Sequence, residues 1–277
     1  MIVLMNDKLI RREEAKVDIE DRGHQFGDGF YEVMKIYGGK IFTLKEHMDR
    51  LERSARELKI SLPFSREEIE QKVKELVTEN GAEEGAIYLQ ITRGGSIRQH
   101  HFPGAETVPQ LTAYPFSCHL PEKEQQEGVE TVLTEDIRWK RCDIKSLNLL
   151  GNVLAKQEAK EAGKFEAILH RDGIITEGSS TNFYGVKNGA VITHPVSPLI
   201  LNGITRIKIA ELCAANDIVF KEKALTVEEL KDLDEAFISS TTSEIIPVIK
   251  TGEQVIGNGS PGPVTKTLLQ LFKQITP

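Results

Sequence analysis

The sequence predicts an α+β fold in two domains, about 1–119 and 120–277. Three observations carry this reading. Helical and strand-like stretches segregate along the chain instead of alternating regularly, which argues against a doubly wound parallel sheet. Neither G-x-G-x-x-G nor G-x-x-x-x-G-K-[ST] occurs, so the nucleotide-binding forms of that sheet have no motif here. Proline and polar residues thicken over 114–128, which marks an interdomain linker in a chain of 277 residues, the length of one large domain or two smaller ones.

Composition narrows the class further. With 39% hydrophobic and 28% charged residues the chain is an ordinary soluble globular protein, not a disordered or fibrous one. A net charge of −7 argues against nucleic-acid partners, which need a concentrated basic patch, yet leaves room for a local cationic pocket around one small anion. Apolar stretches such as 86–91 fall far short of the roughly 20 residues of a membrane-spanning helix, so no membrane partner is expected. The opening Met1-Ile-Val-Leu-Met-Asn-Asp7 lacks a basic n-region and reads as a first strand, not a signal peptide. Cys118, Cys142 and Cys213 are odd in number and show no C-x-x-C spacing. Neither a disulfide framework nor a zinc site is expected, and the cytoplasm is the expected compartment.

The elements follow in order. Residues 31–36 and 40–43 flank Tyr37-Gly38-Gly39, a hairpin signal because glycine reaches positive φ at little cost. Thr43-Leu-Lys-Glu46 reads as a capping box, opening a helix with Leu44, Met48, Leu51, Ala55 and Leu58 on one face. Ser65-Arg-Glu-Glu68 repeats the device, with Ile69, Val73, Leu76 and Val77 inward and Gly81 as the stop. Residues 86–92 and 128–139 read as strands, and Asp172-Gly173 and Asn188-Gly189 as hairpin turns. Helices are expected over 147–162, with Ser146 as N-cap, over 204–215 and over 261–275. A shorter one opens at Thr226-Val-Glu-Glu229.

Several side chains could carry chemistry. Lys145 sits at an expected strand-to-helix junction, where a desolvated amine could attack a carbonyl; a solvated surface lysine is the competing reading. Glu177 opens the small, hydroxylated run Glu177-Gly-Ser-Ser-Thr-Asn, suited to lie close to a ligand or to be only a polar turn. Asn202-Gly-Ile-Thr-Arg206 starts a helix whose free N–H groups suit a phosphate, though most such starts bind nothing. Residues 239–243 offer five hydroxyls after a strand. Arg50 flanks the apolar face of its helix and can reach inward or pair with Glu46. Arg98-Gln-His100-His101 places an arginine and an imidazole two residues apart, both able to donate to a carboxylate; a solvated loop is the alternative. The adjacent histidines find no third ligand at usable spacing, so no metal is expected.

In this order and spacing the pieces resemble the fold-type IV pyridoxal-phosphate enzymes, most closely the bacterial D-amino acid (D-alanine) aminotransferases. The motifs that carry the resemblance are Asp21-Arg-Gly-His-Gln-Phe-Gly-Asp-Gly-Phe-Tyr-Glu-Val, Glu46-His-Met-Asp-Arg-Leu and Gln90-Ile-Thr-Arg-Gly in the first half. In the second half they are Ile137-Arg-Trp-Lys-Arg-Cys-Asp-Ile-Lys-Ser-Leu-Asn-Leu-Leu-Gly, Thr176-Glu-Gly-Ser-Ser-Thr-Asn, Gly203-Ile-Thr-Arg and Ser240-Thr-Thr-Ser-Glu-Ile. Together they run almost end to end. His24 departs from the aromatic or apolar residue common in relatives and matches no catalytic role.

The resemblance implies a smaller α/β sandwich domain and a larger β-rich domain with flanking helices, with pyridoxal 5′-phosphate between them. It implies that Lys145 is the catalytic lysine, bonded to the cofactor and moving the proton at Cα. Glu177 corresponds to the carboxylate facing the pyridine nitrogen. Arg50, Ile204, Thr205 and Thr241 correspond to the phosphate cradle, Leu201 to an apolar residue on the ring, and Ser180 to a further cofactor contact. Tyr31, Arg98 and His100 match the trap for the substrate carboxylate, the last two reaching across from a partner subunit, which implies a homodimer. The implied reaction is ping-pong transfer of the amino group from D-alanine to 2-oxoglutarate, giving pyruvate and D-glutamate. A branched-chain L-amino acid aminotransferase and an aminodeoxychorismate lyase share the fold and remain alternatives.

Overall fold

The computed structural model describes residues 1–277, which divide into two compact units. The first comprises 1–119, 144–148 and residue 277; the second comprises 120–143 and 149–276. In the first unit the elements are β1 (Ile2–Met5), β2 (Lys8–Arg11), α1 (Arg22–Phe26), β3 (Gly29–Tyr37), β4 (Lys40–Ile41), α2 (Leu44–Leu58), α3 (Arg66–Glu79), β5 (Gly85–Thr92) and β6 (Gln110–Phe116). The six strands form one antiparallel sheet in the order β2-β1-β6-β5-β3-β4.

Side chains alternate between the faces of a strand, and β3 uses this to divide core from site. Phe30, Met34 and Ile36 point into the core with Ile87, Leu89, Ile91, Leu111 and Ala113. Against them lie Met48, Leu51 and Ala55 of α2 and Ile69, Val73, Leu76 and Val77 of α3, the faces that helical periodicity selects. Odd-numbered Tyr31 stands on the other face, stacked on Tyr88, which in turn lies against Tyr114.

The second unit contains α4 (Glu122–Glu127), β7 (Val129–Glu135), α5 (Leu150–Glu161), β8 (Glu166–Arg171), β9 (Ile174–Gly178), β10 (Asn182–Lys187), β11 (Ala190–Thr193), α6 (Ile204–Ala215), β12 (Phe220–Glu222), β13 (Glu235–Ser240), β14 (Glu244–Thr251), β15 (Gln254–Val255) and α7 (Pro263–Ile275). Its nine-stranded sheet runs β12-β11-β10-β13-β14-β7-β8-β9, with β15 on β14. Most pairs are antiparallel, but β7 and β8 are parallel, so the chain crosses over between them through α5. The connection from β7 to α5 carries Arg138 and Lys145. Its stretch Ile144–Asn148 belongs by its contacts to the first unit.

Element types agree with the sequence-based expectations, whereas several boundaries and caps differ. The hairpins at Gly38-Gly39, Asp172-Gly173 and Asn188-Gly189 are present, each with positive φ at both turn residues. Ser65 and Glu68 form the expected reciprocal cap. Thr43 does not: its φ is 52° and its hydroxyl donates to the Phe42 carbonyl, so no side chain caps α2. Ser146 is not an N-cap either, because α5 begins at Leu150 and Ser146 bridges to Phe30. The expected linker over 114–128 is mostly structured, its first residues completing β6 and 122–127 forming α4. The strand expected over 128–139 ends at Glu135, where Asp136 turns the chain. The helix expected at Thr226 is a short 3-10 turn, Glu228–Asp232, although Thr226 and Glu229 exchange the two capping bonds.

The two caps give opposite expectations. Ser65→Ala should destabilise the protein by about 1 kcal/mol, because it exposes an orphan helix N–H. Thr43→Gly should stabilise it, since a β-branched residue in the left-handed region is strained by about 1–2 kcal/mol. Urea unfolding of both variants checks this, and loss of stability in Thr43→Gly would contradict the description of that turn.

Candidate active site

Lys145 owes its position to a sheet edge. On β3 the odd-numbered residues point their backbone groups towards β4, as the bond from Phe42 N–H to the Lys35 carbonyl shows. But β4 is two residues long and leaves that edge bare at Gly29–Tyr31. The segment around Lys145 covers it: Tyr31 N–H donates to the Lys145 carbonyl at 2.9 Å and Leu147 N–H to the Gly29 carbonyl at 3.0 Å. The side chain is half-buried, with Nζ 4.3 Å above the centre of the Tyr31 ring. Backbone pairing on both sides of Ser146 thus holds the Lys145 amine over Tyr31.

On the core face of β3, in register with Phe30 and Met34, stands Glu32, 1% exposed. A carboxylate among apolar side chains must be neutralised or paired. Residues three apart on a helix share a face, and α2 presents His47 and Arg50 to it. Arg50 donates from Nε and Nη2 to the two Glu32 oxygens, each at 2.7 Å, and His47 Nδ1 lies 2.7 Å from Oε2. Burial alone would push the Glu32 carboxyl up, but Arg50 and then His47 outweigh it and hold it at about 2. Burial drives His47 the other way, below the ordinary histidine value, so it is neutral near pH 7. Arg50 therefore reaches inward, as one sequence reading expected, held through its fork by a residue the sequence reading assigned no role.

The second unit holds Glu177, on β9, 4% exposed. Its Oε1 accepts from Arg138 Nη1 at 2.6 Å; its Oε2 accepts from Asn182 Nδ2 at 3.0 Å and from the Leu201 N–H at 3.1 Å. Burial pushes this carboxyl above the usual glutamate range, against the pull of Arg138. Leu201 thus meets Glu177 through its backbone. Asn182 also donates to the Leu201 carbonyl, and a Cβ on Gly203 would collide with the Asn182 oxygen, so glycine is required there. Gly203 begins α6 with no side-chain cap, leaving the first-turn N–H groups of Ile204 and Thr205 without a capping acceptor. Ser180 is exposed, and its hydroxyl donates to Glu166, a carboxylate at 0% exposure that also takes bonds from Ser179 and Thr181. Thr241 lies half-buried in the turn after β13.

Arg98 and His100 lie in the loop after β5 and are exposed, their side chains lying against Phe26 of the same chain. His24 is exposed on α1. Sequence reasoning missed Glu32, His47, Asp136, Arg138 and Asn182. One signal was available for the first: Glu32 interrupts the apolar alternation Phe30, Met34, Ile36, and a charge at a core position requires a partner.

The first unit thus offers an amine braced on an aromatic ring, and the second offers a buried carboxylate oriented by three donors and a helix start with no side-chain cap. Similarity to known proteins states the class. Residues 29–251 match the family described as amino-transferase class IV, and the chain belongs to that family. It is 55% identical to a D-alanine aminotransferase of Bacillus licheniformis, over 97% of this chain and 94% of the relative. Among solved structures, the branched-chain amino acid aminotransferase of Escherichia coli superposes with a TM-score of 0.93 at 27% identity, covering 99% of this chain and 94% of that one. A second branched-chain amino acid aminotransferase, from T.th. and solved with pyridoxamine 5′-phosphate, gives 0.90 at 27%, covering 99% and 93%. These neighbours carry the fold expected for the fold-type IV enzymes.

The Glu32 network makes a pH-dependent contribution with a definite sign. Its folded carboxyl lies below the ordinary value of 4.5, so the stabilisation is present above that pH and fades as pH falls towards about 2. Glu32→Gln should cost about 3 kcal/mol at pH 7, because Arg50 is left buried beside a neutral group. The cost should shrink at pH 3. Equal costs at both pH values in urea unfolding would contradict the assignment.

Proposed function

We propose that the chain is a pyridoxal-phosphate-dependent D-amino acid aminotransferase that moves the amino group of D-alanine to 2-oxoglutarate by a ping-pong exchange. The observation that carries the reading is the 55% identity to the Bacillus licheniformis D-alanine aminotransferase over nearly the whole chain, about twice the 27% shared with the branched-chain structure from Escherichia coli.

The residues present fit the cofactor. Glu177 is a buried carboxylate with directed donors, suited to a pyridinium nitrogen, and the uncapped start of α6 suits a phosphate. Lys145 would anchor the cofactor, with Arg50, Ile204, Thr205 and Thr241 around the phosphate and Leu201 and Ser180 as further contacts. When bound, pyridoxal phosphate supplies a conjugated ring that spreads the charge left when Cα loses its proton. Lys145 Nζ would take that proton as the general base. Glu177 holds a proton at the ring nitrogen, and Tyr31, Arg98 and His100 orient the substrate carboxylate through directed donors.

Exposed Arg98 and His100 serve this trap from a second subunit, in a homodimer. Ile97 and Ile19, 78% and 80% exposed, support an interface beside that loop, since the Ser96 N–H donates to the Glu20 carbonyl and brings the two segments together. Three free cysteines accord with a cytoplasmic location, and no helix is long and apolar enough to cross a membrane.

Purified protein loaded with pyridoxal phosphate should show a visible band that D-alanine bleaches and L-leucine does not. Bleaching by L-leucine alone would favour the branched-chain reading. Lys145→Ala should remain folded and lose transamination by several orders of magnitude, since the nucleophile and proton acceptor vanish together. Near-normal turnover would refute its role. Ile97→Asp should shift the protein from dimer to monomer in light scattering and lower activity in parallel. An active monomer would remove the shared trap.

A further inference from the structure

Glu177 has one cationic partner, and that partner is itself clamped. Arg138 donates from Nε to Asp136 Oδ1 and from Nη2 to Asp136 Oδ2, both at 2.9 Å, which leaves Nη1 aimed at Glu177 Oε1 at 2.6 Å. The clamp begins in the backbone, because the Arg138 N–H also donates to Asp136 Oδ1 at 3.1 Å and bends the chain just after β7. Asp136 is fixed in turn by the Thr176 hydroxyl at 2.9 Å, one residue before Glu177, and by the Arg171 guanidinium at 3.1 Å. All four charged side chains are buried or nearly so, and they alternate in sign: Arg171, Asp136, Arg138, Glu177.

We propose that Arg138, held by Asp136, is the positioning residue that limits how strongly Glu177 competes for the proton between it and the ring nitrogen of a bound pyridoxal phosphate, so that the proton stays on the nitrogen. The proposal rests on Glu177 facing that nitrogen. Asn182 and the Leu201 N–H fix the direction of Oε2 but are neutral, so they orient the carboxylate without supplying charge. Burial raises the proton affinity of Glu177; Arg138 is the charged group that opposes it, ahead of the Leu201 N–H, and Asp136, an anion, adds to the rise. Cys142 also lies near Arg138, but burial pushes its thiol up to about 11, so it contributes no charge at neutral pH. Removing Arg138 leaves a buried carboxylate that draws the proton from the ring and weakens it as an electron sink. Removing the charge of Asp136 acts in the opposite direction.

That opposition separates electrostatic positioning from a merely structural role. The holoenzyme is reconstituted with pyridoxal phosphate carrying nitrogen-15 in the ring, and the pH at which the ring nitrogen loses its proton is read by NMR. Arg138→Gln should lower that pH and Asp136→Asn should raise it, each by about one unit or more. The kcat of Arg138→Gln should fall roughly tenfold or more with little change in the D-alanine KM, since the loss is in the chemical step. Shifts in the same direction, or none, overturn the proposal. If Arg138→Gln does not fold, Asp136→Asn decides alone: a rise supports the proposal, and an unchanged or lower value overturns it. Glu177→Gln separates the two levels of the argument. If it moves the nitrogen's titration while the Arg138 and Asp136 variants do not, only this proposal falls. If it too leaves the titration unchanged, the role of Glu177 falls with it.

Discussion

A carboxylate taken out of water must find compensating charge or donors, and in this protein that constraint shapes both sheets. Glu32 lies on the core face of the first sheet and Glu177 on β9 of the second. Each is met by an arginine, Arg50 with two nitrogens and Arg138 with one. The consequences differ because the neighbourhoods differ. Arg50 and then His47 drive the Glu32 carboxyl down against burial, whereas Arg138 divides its charge between Asp136 and Glu177, and burial prevails at Glu177.

Glu166 solves the same problem without an arginine. Hydroxyls of Ser179, Ser180 and Thr181 and backbone N–H groups of Ala167 and Ser180 converge on it, with Lys156 Nζ 3.6 Å away. The small residues after Glu177 thus wrap a buried carboxylate and fix the loop that follows β9. An Arg side chain can be aimed by its own partners, which makes it the more suitable choice where a carboxylate must be both charged and directed.

The placement of Lys145 depends on a different kind of incompleteness. A short β4 leaves β3 with unpaired backbone groups, and the long connection between β7 and α5 supplies the missing partners. The need to satisfy backbone donors and acceptors thus positions the amine. Its side chain requires no special local sequence beyond Lys145 itself, which explains why local context left a surface lysine as an open reading.

Local pattern alone was enough for elements whose cause is local. The faces of α2 and α3, the Ser65–Glu68 cap and the three glycine-containing hairpins depend on residues within a few positions of one another. The segregation of helices and strands likewise indicated α+β, and the spacing of the motifs carried the resemblance to the class IV enzymes. Thr43 and Ser146 show where local pattern misleads: each has the side chain of an N-cap, yet the hairpin before α2 and the pairing of Ser146 with Phe30 impose other backbone geometry. The arginine partners of Glu32 and Glu177 lie 18 and 39 residues away in sequence. Their pairing depends on which faces the strands and helices turn towards one another. The sequence by itself determined which residues could ionise, donate or turn the chain; the tertiary structure decided which of them are buried together, because desolvation and charge pairing act across space and have no sequence period.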